Sequence, residues 1–268
     1  MIMSLKFPKH CEHCEGIGEV ENPKHHSSYE ITMDCNLDCV FCYSRIVKKK
    51  PIKPGYYGEM NPKAITISQF GEPLLVGERE VIRIAKALRD IFGNVRLDLQ
   101  TNGVLLTPKV CEEFDLVMIS LDAGSRENYW KITKRDFFER VIENIKKSSK
   151  ITYTAIRTVF MPGVNDFELR KIAEIANHAE ELFLQPISIY RENSELLERL
   201  DVERAESIGE FLKIAKELNE IAEVRIPGCF LLNLKKVLNN FSIEEVFLMK
   251  RNAFAEFPEI HRDWRFLL

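Results

Sequence analysis

The sequence predicts an α/β fold of six strand–helix units around a parallel sheet, and three observations carry that prediction. Short apolar runs alternate with longer stretches of helical period along most of the chain, which is how a parallel sheet with crossover helices reads. Most of those runs are apolar on both faces, as strands covered by helices are. The length of 268 residues, 45% of them hydrophobic, suits a one-domain α/β barrel with a sizeable core.

In chain order the expected strands are Tyr29 to Met33, Ala64 to Ser68, Arg96 to Gln100, Leu116 to Leu121, Ile151 to Val159 and Leu182 to Ile187. Each is too short for a helix. Between the second and third, Val81, Ile84, Ala85, Leu88, Ile91 and Phe92 form one helical stripe, and Gly93 follows where a left-handed cap is wanted. Asp136 with Glu139 makes a capping box ahead of Val141, Ile142 and Ile145, and Asp166 is placed to cap the helix of Leu169, Ile172, Ala173 and Ala176. One long helix is expected from Val202 to Leu218, then a short strand near Val224 and a helical tail from Leu231. This divides the chain into an N-terminal extension over 1–28, a barrel over 29–220 and a C-terminal extension over 221–268 packed on the barrel.

The formal net charge of −3 does not predict the long-range attraction of a basic nucleic-acid binder. Lys48-Lys49-Lys50 reads as a solvated turn. The first ten residues have no apolar signal region, and no stretch of about 18 apolar residues occurs, so a cytoplasmic chain without membrane insertion is expected. The seven cysteines are an odd number, and five crowd between Cys11 and Cys42. That is a poor disulfide framework, and metal ligation explains it better.

Cys35, Cys39 and Cys42 stand just after the first expected strand in the order C-x3-C-x2-C. Thiolates suit iron–sulfur or zinc, but a closed structural zinc site takes four ligands. Three thiolates on a cluster leave one iron open to chelate a bound molecule, so that an electron passes directly into it.

With Phe41 before Cys42, this loop resembles the C-x3-C-x-aromatic-C signature of the radical S-adenosylmethionine superfamily. The resemblance implies a partial (β/α)6 barrel and a [4Fe-4S] cluster on Cys35, Cys39 and Cys42. It also implies S-adenosylmethionine chelating the open iron, and a 5′-deoxyadenosyl radical that takes a hydrogen atom from a substrate. Phe41 and Tyr43 would lie beside the cofactor. Gly71-Glu72-Pro73 resembles the family's Gly-Gly-Glu-Pro, with Phe70 in place of the first glycine, and Thr101-Asn102-Gly103 is similar to its Thr-Asn-Gly. Ser120 and Asp122, at a strand's carboxyl end, suit ribose hydroxyls, or else cap the next helix. From Ile119 to Lys134 the chain resembles molybdenum-cofactor biosynthesis protein A and iron–sulfur oxidoreductases related to wybutosine synthesis. The first of these carries a second cysteine triplet near its C-terminus, where this chain has only Cys229, which disfavours that specific activity. An external one-electron donor such as a ferredoxin or flavodoxin is implied. The substrate is left open among a small precursor, a peptide and a tRNA nucleoside. Arg157 and Gln185 are candidate substrate contacts, because an inward guanidinium needs an anionic partner. The competing reading is a non-catalytic iron–sulfur carrier or zinc-dependent binding module on the same barrel.

Ahead of the barrel, Cys11 and Cys14 form a C-x2-C knuckle. His25 and His26 would complete a zinc site with them, whereas Cys229 would join them around a second iron–sulfur cluster. Cys111 is expected in the core, and Trp130 and Trp264 are expected to pack.

Overall fold

The computed structural model describes residues 5–14, 26–47, 52–256, 260 and 262–268. Nine strands run through them: β1 (Ser27–Glu30), β2 (Gly55–Tyr57), β3 (Ala64–Ile67), β4 (Arg96–Thr101), β5 (Leu116–Ser120), β6 (Tyr153–Phe160), β7 (Glu181–Pro186), β8 (Val224–Arg225) and β9 (Trp264–Phe266). They form one sheet in the order β8-β7-β6-β5-β4-β3-β1-β2-β9. From β1 through β3 to β8 every neighbouring pair is parallel, the pattern of an open α/β barrel. All six expected strands are present.

Alternation along these strands gives the sheet two different faces. Leu97, Leu99, Val117, Ile119, Ile156, Leu182 and Leu184 join the main core. In the opposite register Leu116, Met118, Ala155 and Phe183 make a smaller apolar cluster. Truncating one of the main-core leucines to alanine is worth about 2–5 kcal/mol. The helix Glu78–Phe92 shows the sequence logic: Val81, Ile84, Ala85 and Leu88 are buried, and the helix ends at Gly93, whose φ of 68° favours glycine. Ile91, expected on the same stripe, is exposed.

Several local expectations are corrected. Asp136 caps no helix; it forms an ion pair with Arg126, and the helix Phe138–Ser148 starts without a side-chain cap. A guanidinium within bidentate reach competes successfully for that carboxylate. Asp166 accepts from the Gly163 N–H at 2.8 Å and pairs with Arg204 at 2.7 Å, and the helix Leu169–Ala176 follows a 3-10 turn. The long helix is two, Val202–Glu206 and Ile208–Leu218, because the Ser207 hydroxyl caps the second through the Glu210 N–H. Trp130 is 56% exposed and is no packing residue. Trp264 lies in β9, its indole donating to the Pro54 carbonyl. Cys111 is buried, as expected.

β2 and β9 were not expected. They are three-residue strands held by Tyr56, which packs on Phe92 and Phe266 with ring centroids 4.8 and 5.2 Å apart. The sheet therefore extends past residue 220 through β8 and β9. At the other edge Lys6 bridges in parallel to Arg225, covering β8 with the N-terminal segment.

Candidate active site

The cysteine loop leaves the carboxyl end of β1 and is pinned from three sides. The Asp38 and Val40 N–H groups donate to Thr133 O and Ile132 O, both at 2.9 Å, at the end of the helix Arg126–Thr133. The Glu72 N–H donates to Asp34 O at 2.7 Å. Gly71 has φ 64°, and a Cβ there would stand 2.2 Å from Thr32 O and 2.8 Å from Asp34 O. Only glycine lets the two loops approach this closely.

Glu72 is buried. Its carboxylate accepts from Leu74 N at 3.1 Å, Thr101 Oγ1 at 2.9 Å and Asn102 N at 2.7 Å. Its oxygens therefore tie β3 to the end of β4. Burial pushes its pKa up to about 7, against those three hydrogen bonds. Asn102, so fixed, places Nδ2 3.6 Å from Cys35 Sγ and 2.6 Å from Asn36 Oδ1. Burial raises the Cys35 and Cys39 thiols, Cys39 strongly, so thiolate formation there is coupled to metal binding.

Cys35, Cys39 and Cys42 line one pocket together with Phe41, Tyr43, Gly71, Glu72, Thr101, Asn102, Ser120, Asp122 and Arg157. Pro73 does not line it; it opens a 3-10 turn behind. Asp122 accepts from Val159 N at 2.7 Å, and burial raises its carboxyl to about 6 against that bond and Arg157. The helix cap of the alternative reading is Ser125, not Ser120 or Asp122. The Tyr43 hydroxyl donates to the Gln69 carbonyl. Tyr129, which the sequence reading missed, brings to the same pocket a buried hydroxyl with no partner. An orphaned donor beside three thiols and a glycine cradle fits a polar, cluster-bound ligand.

Arg157 stands at a junction. It lines the cysteine pocket and also a cavity of about 530 Å³. Its hydrogen-bond partner is neutral, Nη1 donating to Gln100 Oε1 at 2.7 Å, and its nearby anion is the Asp122 carboxylate. Gln185 lines the larger cavity. Cys11, Cys14 and Cys229 line it as well, although Cys14 and Cys229 are 215 positions apart in the chain. Burial raises the Cys11 thiol to about 12, with smaller contributions from its neighbours Cys14 and Cys229.

The turn Lys9–His13 that carries Cys11 is docked by charge. Arg96 holds the buried Asp98 through Nε at 2.8 Å and Nη2 at 2.9 Å, and also donates to Lys9 O and His10 O at 3.0 Å. His10 Nδ1 lies 2.8 Å from Asp98, and His26 Nε2 donates to His10 O. Burial opposes ionisation of Asp98, but the His10 hydrogen bond and the Arg96 charge outweigh it and hold the carboxyl low. Burial and then His10 push His26 down to about 3. His26 therefore sits in this network, and His25 lies outside the described residues.

A parallel open barrel with a thiol loop at its carboxyl rim defines a metal-dependent α/β enzyme site. Residues 29–176 match the family profile of the Radical SAM superfamily, and the chain belongs to that superfamily. It is accordingly an enzyme of a family built on a [4Fe-4S] cluster and S-adenosylmethionine. The chain is 41% identical over 280 residues to the "Uncharacterized protein MJ0804" of Methanocaldococcus jannaschii, covering 97% of this chain and 92% of that one. It is 33% identical over 164 residues to the GTP 3′,8-cyclase of Petrotoga mobilis, covering 54% of this chain and 50% of the cyclase. It thus spans about half the length of that cyclase. Among solved structures, Streptococcus suis SuiB bound to S-adenosylmethionine shares the fold, with a TM-score of 0.55, 13% identity, and coverage of 85% of this chain and 53% of SuiB. No helix among the described residues is long and apolar enough to cross a membrane.

Proposed function

We propose that Cys35, Cys39 and Cys42 are the three protein ligands of the cluster, and that S-adenosylmethionine takes the remaining corner in the pocket they line. When bound, that pair supplies one-electron reductive cleavage of the sulfonium and a 5′-deoxyadenosyl radical. Asn102 orients Cys35, and Glu72 fixes Asn102 from behind. Ser120 and Asp122 receive the ribose hydroxyls, and Phe41 and Tyr43 exclude water from the side toward the larger cavity. The substrate occupies the 530 Å³ cavity, with Arg157 as the contact shared by both compartments. Electrons come from an external donor of the ferredoxin or flavodoxin kind.

The observation that carries this reading is the single pocket shared by three thiols, an orphaned hydroxyl and an arginine that opens onto a second compartment. The test is an anaerobic incubation of the iron-reconstituted chain with dithionite and S-adenosylmethionine. The wild type is expected to release 5′-deoxyadenosine, and Cys42→Ala to release none.

A second metal centre on Cys11, Cys14 and Cys229 belongs to the same proposal. Among the described residues, the one group of three or more His, Cys, Asp and Glu whose ligand atoms lie within 4.8 Å of each other is His10, His26 and Asp98. For Cys11, Cys14 and Cys229 zinc stands beside a cluster as the alternative, and the metal count decides between them. An iron count of about eight per chain, falling to about four in Cys11→Ala/Cys229→Ala, supports two four-iron clusters; a count of four in the wild type removes the second.

A further inference from the structure

The larger cavity is charged in one sense. Among the described residues that line it there is no Asp or Glu, yet Arg157 and Arg251 both reach it. Each guanidinium is incompletely answered. Arg157 has the neutral Gln100 amide oxygen. Arg251 donates from Nη2 to the Ile187 carbonyl, and its buried Nε has no hydrogen-bond partner. Burial bears down on the charged form of Arg251, and Glu206 offsets this only in part. A half-buried guanidinium with no carboxylate in hydrogen-bond reach is costly, because it gives up hydration while Asp122 and Glu206 act on these two only at longer range. Two of them on one cavity wall are a standing demand for an anion. Gln185 and Asn233 add neutral hydrogen-bonding groups on the same surface, while Phe41, Tyr190 and Phe230 supply ring faces. A divalent metal or a [4Fe-4S] core on the three cysteines would leave about one net negative charge from the three thiolates, less than the two arginines carry.

We infer that this cavity binds a small organic anion, a carboxylate or phosphate ester with a flat apolar body, whose acidic group bridges Arg251 and Arg157. The volume of about 530 Å³ suits a small molecule and not a folded polymer. Arg157 then holds the anion against the cysteine pocket, which sets the apolar body at the rim where a hydrogen atom would be taken. This assignment rests on the proposed radical function for its role as a substrate site, but its binding chemistry stands apart from it.

The test uses the full chain, iron-reconstituted and anaerobic, with benzoate, phenyl phosphate and the neutral isostere benzamide as calorimetric probes. Benzoate or phenyl phosphate is expected to bind at least about tenfold more tightly than benzamide, and Arg251→Met to remove most of that preference while Arg251→Lys keeps part of it. Whichever acid binds more tightly separates a carboxylate from a phosphate ester. Equal binding of acid and amide, no binding of any probe, or an unchanged preference in a folded Arg251→Met chain overturns the inference. Should Arg251→Met fail to fold, the acid-against-amide contrast on the wild type decides alone. The same wild-type batch is assayed for 5′-deoxyadenosine. Acid preference without product leaves the anion site and removes the radical reading; product without acid preference does the reverse.

Discussion

The two groups of cysteines meet the same cavity system from opposite chain geometries. Cys35, Cys39 and Cys42 lie in one loop, and that loop is held by backbone hydrogen bonds to Asp34, Ile132 and Thr133 and by the close approach of Gly71. Cys11, Cys14 and Cys229 come from two distant segments, and the N-terminal one is held by charge, through Arg96, Asp98 and Glu181. The first arrangement survives as long as its local backbone does. The second exists only once the sheet is complete, since β4, β7 and β8 must all be in place to receive it. Local geometry therefore gathers the rim cysteines and tertiary electrostatics gathers the far ones, and substitutions should separate them.

The largest expected effect falls on the far region. Asp98→Ala leaves the Arg96 guanidinium, only 10% exposed, with no anion but the longer 3.8 Å contact to Glu12 and should cost about 3–5 kcal/mol in urea unfolding. Iron bound by the rim cysteines should remain. A loss below about 1 kcal/mol would mean that the knuckle is not held by charge.

Gly71→Ala strikes the other region. The new Cβ meets backbone at 2.2 Å in a positive-φ residue, a clash plus backbone strain of about 2–4 kcal/mol. Here the stability loss should be the smaller of the two, yet rim iron should be lost on reconstitution. Full iron content in Gly71→Ala would contradict the close-approach argument.

Glu30 sharpens the contrast by pH. It is buried, accepts from the Gln69 and Phe70 N–H groups, and is raised by burial from 4.5 to about 7. An acid whose folded pKa is raised stabilises fully below its unfolded value. That contribution, about 3–4 kcal/mol at 1.36 per unit, is lost as pH rises from 4.5 to about 7. Wild-type stability should fall across that window, and Glu30→Gln should flatten the slope; an equal slope in both would remove Glu30 from the account. Smallest of all, Trp130→Ala should stay within about 0.5 kcal/mol, because the ring is exposed.

The rim cysteines were readable in the sequence because they fall within one eight-residue loop and the strands around them are apolar runs with clear ends. The same logic delivered the helix over Val81 to Leu88 and its Gly93 stop. It failed where partners are remote in the chain. Asp136 and Asp166 look like caps until Arg126 and Arg204 are brought to them. β2 and β9 are too short to carry a period and are made by ring contacts between Tyr56 and Phe266. Arg251 had no local signal at all: a lone arginine in an irregular segment gains meaning only beside Arg157 in one cavity. Tyr129 is hidden for the same reason, since a helical Tyr reads as core until its hydroxyl is found unpartnered.

The most direct measurement is electron paramagnetic resonance of the dithionite-reduced Cys11→Ala/Cys229→Ala chain, before and after S-adenosylmethionine. A vacant corner on the rim cluster predicts a reduced-cluster signal whose g values shift when the cofactor is added. A signal indifferent to the cofactor, or an iron-free chain holding zinc in its place, would contradict it.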